Sequence, residues 1–103
     1  MMKQYGLHSS LQAKKGKGDE LAAILLQAAE LMHQVAGCYL YLVSKDTNQA
    51  DCIWVSELWD SKGTHDNSLK MENVRTLIGK AMPLLDGPPQ KGSEFEVIGG
   101  LKR

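Results

Sequence analysis

The chain has no excess charge of either sign. Twelve Lys and Arg balance twelve Asp and Glu, so the basic stripe of a nucleic-acid surface is missing and no nucleic-acid partner is expected. No apolar run approaches the ~20 residues of a membrane span, and the first residues lack the apolar core of a secretory signal. No membrane partner is expected, and a cytoplasmic location follows by default. Cysteine is scarce, with two residues, and neither a CxxC pair nor a Cys/His cluster points to zinc. The glycines of Lys14, Lys15, Gly16, Lys17 and Gly18 lack the terminal Gly-Lys-Ser/Thr of a phosphate loop and are expected simply to admit a helix. A nicotinamide or flavin fingerprint, a metal triad and a Gly-x-Ser-x-Gly elbow are also missing, so no cofactor is expected.

What is present is ordinary. At 43% hydrophobic, 23% charged and 103 residues, the sequence fits one soluble domain, 1–103, with one core. Residues 5–13 alternate, with Tyr5, Leu7, Ser9 and Leu11 on one face and Gly6, His8, Ser10 and Gln12 on the other, the pattern of a half-buried strand. Residues 19–35 carry Leu21, Ile24, Leu25, Ala28, Leu31, Met32 and Val35 at helical spacing, with acidic residues in the first turn and Gly37 after the end, which predicts an amphipathic helix. Residues 38–45 and 52–60 read as strands of a hairpin joined by the polar loop 46–51. Residues 61–85 read as helix in two pieces, broken near Met71 and capped by Asp60 or Ser61. Residues 94–101 read as a last strand.

The order β-α-β-β-α-β folds as an α+β, ferredoxin-like, four-stranded antiparallel sheet with helices on one face. A symmetric hairpin pairs Lys45 with Cys52. It separates Cys38 from Cys52 by roughly 23 Å at ~3.3 Å per residue, beyond the about 7 Å that a disulfide spans. It also puts Cys38, Leu40, Leu42, Val55, Glu57 and Trp59 on one face, assigned to the helices, and Tyr39, Tyr41, Val43, Trp54 and Leu58 on the other. Both faces are apolar while helices cover one, so a homodimer packed sheet against sheet is expected.

Glu57 stands between Val55 and Trp59 on its face, and a carboxylate there needs a partner. His65 lies one turn into the helix that follows, where chain reversal brings it back toward Glu57. A carboxylate bonded to one imidazole nitrogen makes the other a better base. On the residues alone, a structural pair that anchors strand three to the second helix is the reading ahead of it. Trp59 would form a flat wall for an aromatic ligand or fill the core. Leu40 and Val55 share its face and would complete the substrate pocket, and His8 could line a cavity from strand one. Asp66, Asn67 and Ser68 read as solvated helix surface.

The run Ile53, Trp54, Val55, Ser56, Glu57, Leu58, Trp59, Asp60 and Ser61, followed by His65, resembles the signature of the antibiotic biosynthesis monooxygenase family. Gly37 at the opening of strand two and the block from Ala81 through Asp86, Gly87, Pro88 and Pro89 resemble the same family. The resemblance implies a dimeric α/β barrel and cofactor-independent oxidation of quinols, polyphenols or related small aromatics by dioxygen. His65 and Glu57 would be the catalytic pair, with Trp59 packing the substrate ring. A non-catalytic dimer that binds a small aromatic ligand, or serves a stress response, is the alternative on the same fold. The haem-degrading relatives carry Asn, Trp and His where this chain has His8, Ser68 and about Ile78, which disfavours haem degradation. The anthrone-oxidising relatives carry Asn where this chain has Val55, and Arg near Gly79.

Overall fold

The computed structural model describes residues 3–101, and the periodicities of the sequence account for most of its elements. The chain runs β1 (Gln4–Gln12), α1 (Gly18–Met32), β2 (Cys38–Lys45), β3 (Cys52–Trp59), α2 (Lys62–Ser68), α3 (Glu72–Ala81), a single 3-10 turn (Met82–Leu84) and β4 (Ser93–Val97). The strands lie in the order β2-β3-β1-β4 and every pairing is antiparallel. This is the expected α+β, ferredoxin-like arrangement.

Helix α1 buries Leu21, Leu25, Ala28 and Met32, the stripe read from the sequence. Its start is built by glycine and by a distant carboxylate. Gly16 takes a positive φ of 81°, and a Cβ on Gly18 would stand 2.5 Å from the Ala50 carbonyl oxygen. The Asp51 carboxylate accepts the Gly16 and Gly18 amides at 3.0 and 2.9 Å, so the β2–β3 loop satisfies helix-entry donors that no local side chain caps. At the other end, Gly37 (φ 94°) lies so close to Asp60 that a Cβ would stand 2.8 Å from its carboxylate oxygens.

Ser61 caps α2 by accepting the Thr64 amide at 3.2 Å. The amides of Leu69, Lys70 and Met71 reach back three residues instead of four, and Met71 is extended at ψ 136°. That tightened turn splits α2 from α3 and directs the Val74, Leu77 and Ala81 stripe of α3 onto the sheet side. Among the described residues, no helix is long and apolar enough to cross a membrane.

The hairpin departs from the symmetric reading. The Asp46 amide bonds the Cys52 carbonyl at 3.0 Å, and the Asp46 side chain accepts the amides of Asn48 and Gln49 and the indole N–H of Trp54. Asp46 thereby joins the ladder, and Lys45 pairs with Ile53 rather than Cys52. A one-residue slip exchanges the faces of a strand. Tyr41 and Val43, opposite Glu57 and Val55, face the helices, whereas Leu40 and Leu42 lie on the outer face, 39% and 52% exposed. An irregularity between Cys38 and Leu40 restores the pairing of Cys38 with Trp59, the work of a β-bulge at Tyr39. Cys38 and Cys52 stay at opposite ends of the hairpin as free thiols.

The last strand is shorter than expected. It ends at Val97, and Ile98 beyond it is exposed, while Gly99 and Gly100 adopt positive φ values of 157° and 137°. Phe95 pairs with Gly6 and Val97 with Gln4. Together with Leu40, Leu42, Trp54 and Leu58 they give the outer face its apolar side chains, which flank the polar row of His8 and Ser10 on β1 and Ser56 on β3. Beneath the helices the core forms two clusters. One gathers Ala13, Leu21, Leu25, Ile53, Val55, Ala81 and Leu85. The other gathers Met32, Trp59 and Val74.

Candidate functional site

Strand β3 runs straight into the Ser61 cap, so one turn later His65 lies back over the end of the strand it has just left. His65 Nε2 stands 3.8 Å from Glu57 Oε1, which is close but longer than a hydrogen bond. The Glu57 carboxylate takes its hydrogen bond from the Trp59 indole N–H, at 3.0 Å. The partner that fixes the imidazole is Asp66, whose Oδ1 lies 2.9 Å from His65 Nδ1. A carboxylate can only accept here, so Nδ1–H donates and the neutral ring keeps its Nε2 lone pair on the Glu57 side. Lys62 holds the other Asp66 oxygen at 2.9 Å. The Tyr5 ring packs against the imidazole at 5.4 Å, and Trp59 meets it edge-on at 5.5 Å. Ser68 Oγ donates to the His65 carbonyl at 2.6 Å.

The electrostatics of the two carboxylates are opposed. Burial pushes the Glu57 carboxyl above its ordinary value, against the lowering effects of the Trp59 N–H and of His65. The hydrogen bonds from His65 and Lys62 hold the Asp66 carboxyl below the usual range. Burial also raises the Tyr41 phenol, and the Glu57 charge adds to it. Environments that push neighbouring acids apart separate the roles of proton donor and fixed anion.

Glu57 and His65 reach a cavity of about 220 Å³ between the sheet, α1 and α3. Among the described residues, the polar side chains in its wall are those of Tyr41, Glu57, His65 and Ser68, and the rest of the wall is apolar. Leu69, Ile78 and Met82 belong to the wall while remaining 41–47% exposed, so the cavity opens between them.

The residues expected at the site separate into three groups. Glu57 and His65 meet at the cavity. Trp59 is fully buried, at 0% exposure, and touches the site through its N–H to Glu57 rather than as a wall. Val55 is likewise sealed in the core. Leu40 and His8 lie on the opposite face of the sheet. The register slip turns Leu40 outward, and His8 stacks on Trp54 at 4.7 Å with Nδ1 2.9 Å from Ser56 Oγ. Asp66 and Tyr41 are the residues that sequence reasoning missed. Asp66 was legible only as the neighbour of His65, and Tyr41 depends on the slip in the hairpin.

The antibiotic biosynthesis monooxygenase family model matches residues 5–80. The chain belongs to this family. The matched stretch runs from β1 into α3 and contains Tyr41, Glu57, His65 and Asp66. Among solved structures, a candidate antibiotic biosynthesis monooxygenase from Chloroflexus aurantiacus shares 33% identity over 96% of this chain and 97% of its own, with a TM-score of 0.85. Another candidate member, from Deinococcus radiodurans, shares 25% identity over 96% and 95% of the two chains, with a TM-score of 0.74. A third, from Nitrosomonas europaea, covers 95% of this chain and 93% of its own with a TM-score of 0.87 at 10% identity, which is a likeness of fold. No curated protein matches the chain.

Proposed function

We propose that this family member is a cofactor-independent monooxygenase that oxidises a quinol, polyphenol or related small aromatic with dioxygen. The observation that carries the reading is a His65 oriented by Asp66, with Nε2 free beside a Glu57 carboxyl at the edge of an apolar cavity. In this reading Nε2 removes a proton from a phenolic O–H. The phenolate, held away from water, passes one electron to dioxygen, and the resulting radical pair joins at a ring carbon as a peroxide. Cleavage of the O–O bond leaves one oxygen on that carbon and releases the other as water. A quinol and one dioxygen thus give a hydroxyquinone and one water. Glu57, raised by burial, supplies the proton for the leaving oxygen.

Labelling with 18O2 tests the reaction. The expected product carries one labelled oxygen, with the second label in water. An unlabelled quinone accompanied by hydrogen peroxide would make the protein an oxidase and contradict the reading.

The alternative, a dimer that binds a small aromatic without turnover, draws support from the enclosure of the pair, whose side chains are 9% and 11% exposed. In both readings we infer a homodimer through the outer sheet face. Leu40, Leu42 and Phe95 are 39%, 52% and 54% exposed there, and large apolar side chains gathered on one exposed face mark an interaction surface.

A further inference from the structure

We infer that the ligand of this cavity is an amphiphile: a phenolic ring carrying a short aliphatic chain, with its hydroxyl at the Glu57–His65 end and its chain along the cavity toward Ala81. The inference deepens the proposed function and rests on it for the phenolic head alone. Three elements give the cavity the same direction and length. On the sheet, its wall extends from Glu57 to Leu11, and Leu11 pairs with Ile53, four residues before Glu57 along β3. That is roughly 13 Å at ~3.3 Å per residue. On α1 the wall runs from Met32 back through Leu25 to Ile24, roughly 12 Å at 1.5 Å per residue. On α3 it runs from Val74 to Ala81, roughly 10 Å again. Met32 and Val74 belong to the core cluster around Trp59, whereas Leu25 and Ala81 belong to the cluster around Ile53. The long axis therefore joins the two core clusters.

The polarity along that axis is one-sided. Tyr41 pairs with Glu57 across the strands, His65 lies 3.8 Å from Glu57, and Ser68 bonds the His65 carbonyl. The four polar side chains that the described residues place in the wall thus gather at one end, and the other end is built of leucine, isoleucine, alanine, methionine and proline. An apolar cavity of ~150 Å³ holds one benzene. The 220 Å³ present here leaves room beyond a ring for a chain of a few carbons. A longer chain leaves beside Ile78 and Met82, which are 41% and 47% exposed.

The test is calorimetric titration of the wild-type protein with 4-alkylphenols from methyl to hexyl, which need not be turned over. Each methylene buried is expected to tighten binding about threefold to fourfold through the propyl or butyl member, with the gain levelling off as the chain passes the rim. Affinity that is flat or falls from the methyl member onward would overturn the inference. Ala81→Leu fills the far end and is expected to lower the ratio of butyl to methyl affinity about tenfold or more; an unchanged ratio in the folded variant would overturn it. If thermal melting shows that this variant does not fold, the wild-type series decides alone. Binding that strengthens with chain length in a protein that consumes no oxygen with any quinol would defeat the monooxygenase reading and leave the ligand class standing. Oxygen uptake with short quinols and no gain from the chain would do the reverse.

Discussion

Asp66 Oδ1 lies 2.9 Å from His65 Nδ1, and this contact, rather than the Glu57–His65 approach, sets the orientation of the imidazole. The oxygen that fixes the ring is on a half-exposed residue, next to His65 in sequence and itself steadied by Lys62. Asp66→Ala is therefore expected to leave the fold intact and to lower kcat about fivefold, the modest effect of an exposed ion pair, with KM little changed. Steady-state kinetics check this. A rise in KM at constant kcat would assign Asp66 to ligand binding instead.

Glu57 is a carboxyl whose ionisation the fold resists. Its carboxyl is raised above the ordinary value of 4.5, mainly by burial, so the folded state holds the proton more tightly than the unfolded chain. Its neutral form is accommodated below that ordinary value. As pH rises through the folded pKa, ionisation of the buried group opposes folding. Glu57→Gln keeps an oxygen for the Trp59 N–H and removes the charge. The variant is expected to be more stable than wild type at pH 8, with the difference vanishing near pH 4. Urea denaturation at the two pH values checks it, and a less stable variant at pH 8 would contradict the sign.

Trp59 belongs to the core before it belongs to the site. It is fully buried beside Met32 and Val74, and truncation of a buried tryptophan costs about 3–5 kcal/mol. For a chain of this size Trp59→Ala should lower Tm by at least about 12 °C. A melting point within a few degrees of wild type would show that Trp59 is an exchangeable wall residue.

The outer face predicts an assembly. Leu42 stands at 52% exposure on that face, and a charge introduced there would be buried without a partner in a sheet-to-sheet dimer. Wild type is expected to elute as a dimer and Leu42→Asp as a folded monomer in light scattering coupled to size exclusion. A Leu42→Asp dimer would remove this face from the interface.

How far the sequence reached follows from the range of the forces involved. Local signals were enough for α1, whose stripe from Leu21 to Met32 needs only helical periodicity. They were also enough for the reversal at Ser61 that returns His65 to Glu57, because the cap, the strand end and the helix start are contiguous. Alternation alone puts Leu40 and Leu42 on the helix side of β2, whereas the observed register turns them outward. That register depends on Asp46 joining the ladder through side-chain bonds to Asn48, Gln49 and Trp54, and on a bulge at Tyr39, neither of which alternation encodes. The Asp66 contact escaped for a related reason. A polar residue on a helix reads as solvated until the rotamer of its neighbour is known. The cavity itself was invisible, since it exists only where α1, α3 and the sheet leave space between them.

If His65 is the base of an oxygen-consuming reaction that needs no added cofactor, an oxygen electrode will show it, with wild type and His65→Ala compared on a hydroquinone panel in the presence of a metal chelator and without flavin. Wild type is expected to take up oxygen with at least one member of the panel, at a rate reduced about 10²–10⁴-fold in the variant while the variant keeps its fold. Equal rates for the two proteins, or uptake that appears only when flavin or metal is supplied, would contradict it.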